Sequence, residues 1–239
     1  MANVLEVSGL HKFYGKKHAL RGVDFSIKEG TFHGLLGPNG AGKSTLTKCL
    51  LGLLSIGSGS ISIKGEDYRN PSVRKDIFYL PERFSFYPFY NVEDILEFYG
   101  KAHGLSKMQC LMRLNEVLDI LNLDEIRDQK SETLSKGQLQ RTGLACTLMS
   151  NASIYLLDEP FSGLDPIVIK DIKDILHKEK EKGKTILINS HILSEIEKIC
   201  ETVTVIDKGK TIKTMDIKDI KEGEDLEKVF YDLIKGGNN

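Results

Sequence analysis

The sequence predicts an α/β fold with a mixed, mainly parallel core sheet, an N-terminal antiparallel β-subdomain and an inserted α-helical subdomain. Three observations lead to this prediction. Residues 37–44 follow the complete G-x-x-x-x-G-K-[ST] pattern of a phosphate loop. Apolar and polar residues alternate near the N-terminus, whereas 154–157 and 186–188 are unbroken apolar runs, which is typical of central parallel strands covered on both faces. Residues 91–149 instead show helical periodicity.

The antiparallel subdomain is predicted from a period of two in hydrophobicity. The alternating apolar positions are Leu5 and Val7, then Val23, Phe25 and Ile27, then Ile61 and Ile63. This period places the apolar side chains on one face of each strand, as in a sheet with one face buried.

The phosphate loop lies between a predicted strand and a predicted helix. The apolar run 32–36 predicts a buried strand before it. Helical spacing after it is shown by Leu46, Cys49, Leu50 and Leu53. In such a loop, backbone N–H groups attract phosphate, the lysine neutralises β and γ oxygens, and the serine hydroxyl can ligate Mg²⁺. The predicted nucleotide-binding residues here are Gly37, Pro38, Asn39, Gly40, Ala41, Gly42, Lys43, Ser44 and Thr45.

The helical segment contains two predicted helix starts. Asn91 can cap one helix, and Ser106 with Gln109 forms the capping-box pattern before the next. The predicted apolar faces are Ile95, Phe98, Tyr99 and Ala102 on the first helix, and Leu111, Met112, Val117, Leu118 and Leu121 on the second. A C-terminal amphipathic helix, followed by a loose Gly-Gly-Asn-Asn tail, is predicted from Leu226, Val229, Phe230, Leu233 and Ile234.

Two adjacent acids follow the buried run 154–157, where a phosphate-loop ATPase holds the carboxylate that orients magnesium. We expect Asp158 to contact the ion or its water. We expect Glu159 to polarise a water for in-line attack on the γ-phosphate. The upstream phosphate loop favours this interpretation over a solvated surface turn.

Composition excludes some classes of function. The chain has 33 basic and 34 acidic residues and a net charge of −1, so it carries no electrostatic footprint for nucleic acid. Its four cysteines form no C-x-x-C pair, which argues against a zinc site and favours buried thiols in a reducing compartment. No apolar run approaches the ~18 residues that cross a bilayer, and the first residues lack the layout of a signal peptide.

Ser135 and Gln138 form another capping box, which alone is typical of an ordinary helix start. Its place between the phosphate loop and the acidic pair, however, resembles the Leu-Ser-Gly-Gly-Gln signature of the nucleotide-binding subunits of ATP-binding cassette (ABC) transporters. The matching residues are Leu134, Ser135, Lys136, Gly137 and Gln138, with a lysine in place of the first glycine. The resemblance covers essentially the whole chain and implies the ABC ATPase form of the P-loop NTPase fold.

The resemblance implies roles for further residues. Tyr14 matches the aromatic that stacks on adenine, although a core aromatic is the alternative. Asp165, in the segment 162–165, matches the D-loop, and His191 matches the switch histidine near the γ-phosphate. Glu82 stands where most of the family has the Q-loop glutamine, and the preceding proline points to the ABC-2 exporter branch.

These matches define a predicted site. The catalytic residues would be Glu159, His191 and Lys43, and the magnesium ligands would be Ser44, Glu82 and Asp158. A carboxylate at position 82 still offers an oxygen to magnesium. Five aromatics within 84–90 border the expected docking groove for a membrane subunit, and core packing is the alternative for each ring.

The resemblance further implies an ATP-hydrolysing subunit that uses ATP and Mg²⁺ and binds no nucleic acid. It would form a head-to-tail homodimer or heterodimer, with the signature acting in trans, and drive a separate transmembrane permease from the cytoplasmic face of the membrane. A soluble ABC ATPase acting on nucleic acid or the ribosome is the main alternative, and a small-molecule phosphate-loop kinase is another. The sequence leaves the transported substrate open.

We expect a single ATP-binding domain over residues 1–239. Its predicted parts are an N-terminal β-subdomain with the phosphate-loop core at 1–83, a helical signature subdomain at 84–149, the remainder of the ATPase core at 150–222, and a C-terminal helix and tail at 223–239.

Overall fold

The computed structural model describes residues 2–236, which form two β-sheets surrounded by helices. The strands are β1 (Asn3–Tyr14), β2 (Lys17–Lys28), β3 (Phe32–Leu36), β4 (Ser58–Ile63), β5 (Glu66–Asp67), β6 (Ile77–Leu80), β7 (Ile154–Asp158), β8 (Thr185–Asn189), β9 (Thr202–Asp207) and β10 (Lys210–Asp216). The α-helices are α1 (Lys43–Leu50), α2 (Pro71–Arg74), α3 (Val92–Ala102), α4 (Lys107–Ile120), α5 (Lys136–Ser150), α6 (Pro166–Glu181), α7 (Leu193–Ile199) and α8 (Leu226–Gly236). None of the helices within the described residues is both long and apolar enough to cross a lipid bilayer.

The predicted N-terminal antiparallel sheet is confirmed, with strand order β2-β1-β4-β5. Val7 on the middle strand pairs with Phe25 on one side and Ile61 on the other, so one face of the sheet is continuously apolar. This face packs over the phosphate-loop helix, where Leu46 and Leu50 are fully buried in the same cluster.

The core sheet has the order β10-β9-β3-β8-β7-β6, and all neighbours are parallel except β10 with β9. All five residues of β3 are buried, because helices and the second sheet cover both faces. The carboxyl ends of parallel strands share one edge of a sheet. The phosphate loop after β3, Asp158 at the end of β7 and Asn189 at the end of β8 therefore meet there.

The predicted helix starts are confirmed by their hydrogen bonds. Asn91 forms a reciprocal capping box with Asp94, and Ser106 forms one with Gln109. The amphipathic C-terminal helix is present as α8, which buries Leu226 against the core. The predicted tail beyond Gly236 lies outside the described residues, and the four subdomain bounds stay predictions.

Several residues expected on buried helix faces are exposed instead. Helix α1 ends at Leu50, so Leu53 lies beyond it and is 67% exposed. On α4 the core side consists of Cys110, Leu114, Val117 and Leu118. Two residues predicted on the apolar face of α4, Leu111 and Met112, are therefore exposed. On α3, Phe98 and Ala102 are exposed as well.

Candidate nucleotide-binding site

One cleft of about 460 Å³ lies at the carboxyl edge of the core sheet. Most of the predicted site residues line it, including the phosphate loop and both acids of the predicted catalytic pair. Its lining is Tyr14, Lys17, His18, Ala19, Arg21, Pro38, Asn39, Gly40, Ala41, Gly42, Lys43, Ser44, Thr45, Glu82, Asp158, Glu159, Asn189 and Lys208. Gly37, His191, Asp165 and the signature residues Leu134, Ser135, Lys136, Gly137 and Gln138 do not line this cleft.

Two glycines of the phosphate loop have no room for a side chain. A Cβ on Gly37 would lie 2.3 Å from the Ile206 carbonyl oxygen. Gly42, which caps α1, has φ +112°, and a Cβ there would lie 2.9 Å from a Leu20 methyl group. These contacts fix the loop against β9 and β2 and aim the N-terminus of α1, an anion-binding element, into the cleft.

The Lys43 ammonium lies inside the phosphate loop. It donates hydrogen bonds to the carbonyl oxygens of Gly37 and, at 3.4 Å, Pro38. Burial lowers the pKa of Lys43, while the nearby Glu159 and Asp158 carboxylates act in the opposite direction. The amine is therefore the positive centre of a cleft whose opposite wall is acidic.

Asp158 is held by side chains from both neighbouring strands. Its Oδ2 accepts a 2.5 Å hydrogen bond from the Tyr79 hydroxyl, and its Oδ1 accepts one from the Asn189 amide. Burial raises the pKa of Asp158, although these two hydrogen bonds favour the ionised form. Burial and the Asp158 carboxylate raise the pKa of the Tyr79 phenol, so it stays a hydrogen-bond donor at neutral pH.

Glu159 adopts a left-handed backbone conformation, with φ +50°. Successive residues of a strand point to opposite faces, so a continued strand would separate the two acids. The left-handed turn, in which the Glu159 N–H donates to the Asn189 carbonyl at 2.7 Å, instead keeps both carboxylates in the cleft.

Three donors fix one oxygen of the Glu159 carboxylate. Its Oε2 lies 3.1 Å from Ser190 Oγ, 3.3 Å from the His191 backbone nitrogen and 2.8 Å from His191 Nδ1. The other carboxylate oxygen, Oε1, is not contacted by these three donors. The carboxylate therefore has a set orientation and one oxygen able to accept from a water.

Three residues of the site were not predicted to belong to it. Tyr79 and Ser190 hydrogen-bond the two acids directly, and Asn189 also donates to Thr47 Oγ1 at 3.1 Å. The signal that could have found Asn189 is its position at the end of a buried run beside the run that ends at Asp158.

The residues predicted to bind magnesium fit a hard cation. Ser44, Glu82 and Asp158 line the same cleft and offer hydroxyl and carboxylate oxygens. Asn189 Oδ1 is buried beside them and has no hydrogen-bond partner in the described residues. No group of three or more His, Cys, Asp or Glu residues in the described chain could hold a metal by itself. Magnesium needs no such cluster, because it keeps waters and takes phosphate oxygens.

The cleft has an aromatic wall at the end of β1. Tyr14 is 45% exposed and lines the cleft, with the Lys12 ammonium 5.4 Å from its ring centroid. The neighbouring Phe13 does not enter the core, because it stacks on His18 with 4.0 Å between ring centroids. Tyr14 therefore presents a ring face beside the phosphate loop.

The signature residues begin α5 outside this cleft. Ser135 and Gln138 form the predicted capping box, and the Lys136 side chain lies over Gly163. Asp165 caps α6, since its Oδ1 accepts from the Ile167 and Val168 backbone N–H groups. The N-terminus of α5 is thus accessible and suited to bind an anion, and Lys136 adds a positive charge there.

The fold and the cleft define a phosphate-loop nucleotide-binding protein. The sequence pattern of the ABC transporter family matches residues 20–162, which is more than half of the chain. The chain therefore belongs to the ABC transporter family, as an ATP-binding subunit.

Individual relatives and solved structures agree with this assignment. The chain is 36% identical over 231 residues to the lantibiotic transport ATP-binding protein SrtF of Streptococcus pyogenes, covering 97% of each chain. It is 34% identical to the linearmycin resistance ATP-binding protein LnrL of Bacillus subtilis, covering 87% of this chain and 68% of that protein. It superimposes on the structure of an ATP-binding subunit of an ABC transporter with a TM-score of 0.90 at 30% identity, covering 97% and 99% of the two chains.

Proposed function

We propose that this chain hydrolyses ATP with Mg²⁺ as a head-to-tail dimer and drives a separate transmembrane permease, in the direction of export. The observation that carries the proposal is the orientation of Glu159 in the cleft that the phosphate loop also lines, with one carboxylate oxygen held by three donors. The names of SrtF and LnrL, which refer to lantibiotic transport and linearmycin resistance, support export.

The proposed mechanism uses the polarity of the cleft. Lys43 and the N-terminus of α1 bind the phosphates, and Tyr14 stacks on the adenine ring. Glu159 accepts a hydrogen bond from the attacking water through Oε1 and orients it for in-line displacement. His191, 67% exposed at the rim, holds Glu159 through Nδ1 and points its other ring nitrogen away from that contact. Magnesium, held by Ser44, Asp158 and Glu82, would neutralise charge on the phosphate oxygens.

The dimer is proposed because the signature lies outside the cleft of its own chain. Ser135 and Gly137 would close over nucleotide bound to the second subunit, where the α5 N-terminus meets the γ-phosphate. ATP then favours the closed dimer because its γ-phosphate contacts both halves, and hydrolysis removes that link. A homodimer and a heterodimer with a second ATP-binding subunit both satisfy this geometry.

The permease would dock on a second concave surface, of about 790 Å³, between the 84–90 segment and α3. Two exposed rings of the segment, Tyr87 and Tyr90, line this surface beside Phe98 of α3. Phe84 and Phe86 pack against the core. The exposed rings of the segment are Tyr87, Phe89 and Tyr90. An exposed aromatic surface of this size is suited to receive a partner helix. Docking there would place the chain at the cytoplasmic face of the membrane.

The test of the ATPase is Glu159→Gln, which keeps shape and removes the charge. We expect ATP binding to remain, hydrolysis to stop, and size-exclusion chromatography with light scattering to show an ATP-dependent dimer. Asp225→Asn is the matched control, because it neutralises a carboxylate outside the site that accepts from the Lys228 backbone N–H at the start of α8. Hydrolysis by Glu159→Gln at the native rate would contradict the assigned role of Glu159.

The test of the partner is affinity purification of the tagged chain from detergent-solubilised membranes, with mass spectrometry of the bound proteins. We expect a polytopic membrane protein and vanadate-sensitive ATPase activity. Substituting Tyr87 and Phe98 with serine should release that partner without changing ATP binding. Recovery of only ribosomal or DNA-associated proteins would instead favour a soluble ABC ATPase.

A further inference from the structure

The Tyr79 hydroxyl donates a 2.5 Å hydrogen bond to Asp158 Oδ2. Tyr79 lies in β6, beside β7, where it pairs in register with Leu156 two residues before Asp158. Its side chain therefore reaches along the neighbouring strand to the carboxylate. Tyr79 does not line the cleft in the described structure, so its hydroxyl contacts Asp158 on the side of the carboxylate that faces away from the cleft.

The two carboxylate oxygens of Asp158 accept hydrogen bonds from side chains on two different strands. Tyr79 in β6 donates to Oδ2, and Asn189 in β8 donates to Oδ1. Hydrogen bonds at both oxygens fix the rotation of a carboxylate about its Cβ–Cγ bond. The remaining lone pairs then point in a set direction, toward the cleft that Asp158 lines.

We propose that Tyr79 is a positioning residue for the magnesium ion, acting through Asp158. This inference rests on the proposed function, since it requires Asp158 to serve the metal. Partners that orient a metal-binding carboxylate commonly contribute about 10–100-fold to metal affinity. The Tyr79 ring also packs against the core cluster beneath the antiparallel sheet, so packing and orientation are separable by removing the hydroxyl alone.

The test is Tyr79→Phe, compared with Tyr155→Phe as a matched control. Tyr155 also donates its hydroxyl to a buried carboxylate, that of Glu179 at 3.1 Å, but lies away from the cleft lining. Calorimetry measures ATP affinity for each protein with excess Mg²⁺ and with EDTA. The ratio of the two affinities is the metal coupling, which a loss of packing alone would not change.

We expect Tyr79→Phe to reduce that ratio about tenfold while leaving the affinity in EDTA unchanged. Tyr155→Phe should retain the wild-type ratio. A wild-type ratio in Tyr79→Phe would overturn the proposal, and so would an equal loss of affinity with and without Mg²⁺. Urea unfolding of each variant establishes that the compared proteins are folded. If wild-type protein itself binds ATP no more tightly with Mg²⁺, the proposed function fails before Tyr79 is tested.

Discussion

Acidification should destabilise this protein through a single buried imidazole, His33 in β3. The side chain is 1% exposed, with Nδ1 2.7 Å from Thr202 Oγ1 and Nε2 2.9 Å from Thr204 Oγ1. A neutral imidazole needs one donor and one acceptor, which two rotatable hydroxyls can supply. Burial lowers the pKa of His33 from 6.5 to about 4, because no nearby charge compensates the imidazolium.

The direction in which stability changes with pH follows from proton binding in the folded and unfolded states. Between about pH 4 and 6.5 the unfolded chain binds the proton at position 33 and the folded chain does not, so stability falls as the pH falls. The full difference in pKa corresponds to about 3 kcal/mol of unfolding free energy. Between about pH 7.5 and 5.5 the loss is about 1.3 kcal/mol, because protonation of the unfolded state is still incomplete over that interval.

Urea denaturation followed by circular dichroism, at both pH values, measures this loss. His33→Gln and His33→Leu remove the titrating group, and each should show about 1.3 kcal/mol less pH dependence than the wild type. The leucine variant is expected to be less stable at both pH values because it removes the hydrogen-bond partner of Thr202 Oγ1, whereas Thr204 Oγ1 still contacts Thr214 Oγ1 at 2.8 Å. The reasoning is refuted if both variants retain the wild-type slope between the two pH values.

Three further substitutions test the site and its scaffold. Lys43→Ala should weaken ATP binding by at least about tenfold, measured by calorimetry, because it removes the cation from the phosphate loop; an unchanged affinity would contradict this. Gly37→Ala should lower the unfolding free energy by about 1–3 kcal/mol in urea, because its Cβ meets the Ile206 carbonyl; native stability would show that the loop can move aside. Ser190→Ala should lower kcat about tenfold with little change in KM, since it removes one of three donors to Glu159; a change in KM alone would indicate a role in binding instead.

Periodicity and capping patterns were sufficient for much of the architecture. The alternation around Val7 and Phe25 predicted the antiparallel sheet, and the Ser106 and Ser135 capping boxes predicted the starts of α4 and α5. The phosphate-loop pattern and the acidic pair predicted which strand ends would meet. These features depend on residues close in sequence, so local patterns contain the information.

Features that depend on contacts between distant segments were missed. Nothing local to Tyr79 indicates that its hydroxyl meets Asp158, because the contact depends on β6 lying beside β7. Likewise, Leu111 and Met112 fit a helical period, but the position of α3 and α5 decides which face of α4 is buried. The left-handed conformation of Glu159 has no sequence signal either, since glutamate seldom adopts it.

That conformation has a practical consequence for work with this protein. A left-handed backbone costs a non-glycine residue roughly 1 kcal/mol, and Glu159 additionally places a second negative charge beside the half-buried Asp158. The backbone conformation and the charge of Glu159 thus lower the stability of the folded protein, although this residue is the one suited to hydrolysis. Glycine at position 159 relieves the backbone strain and the charge repulsion but loses the three hydrogen bonds to Oε2, and it should abolish hydrolysis, so thermal stability is a misleading guide when active preparations are selected.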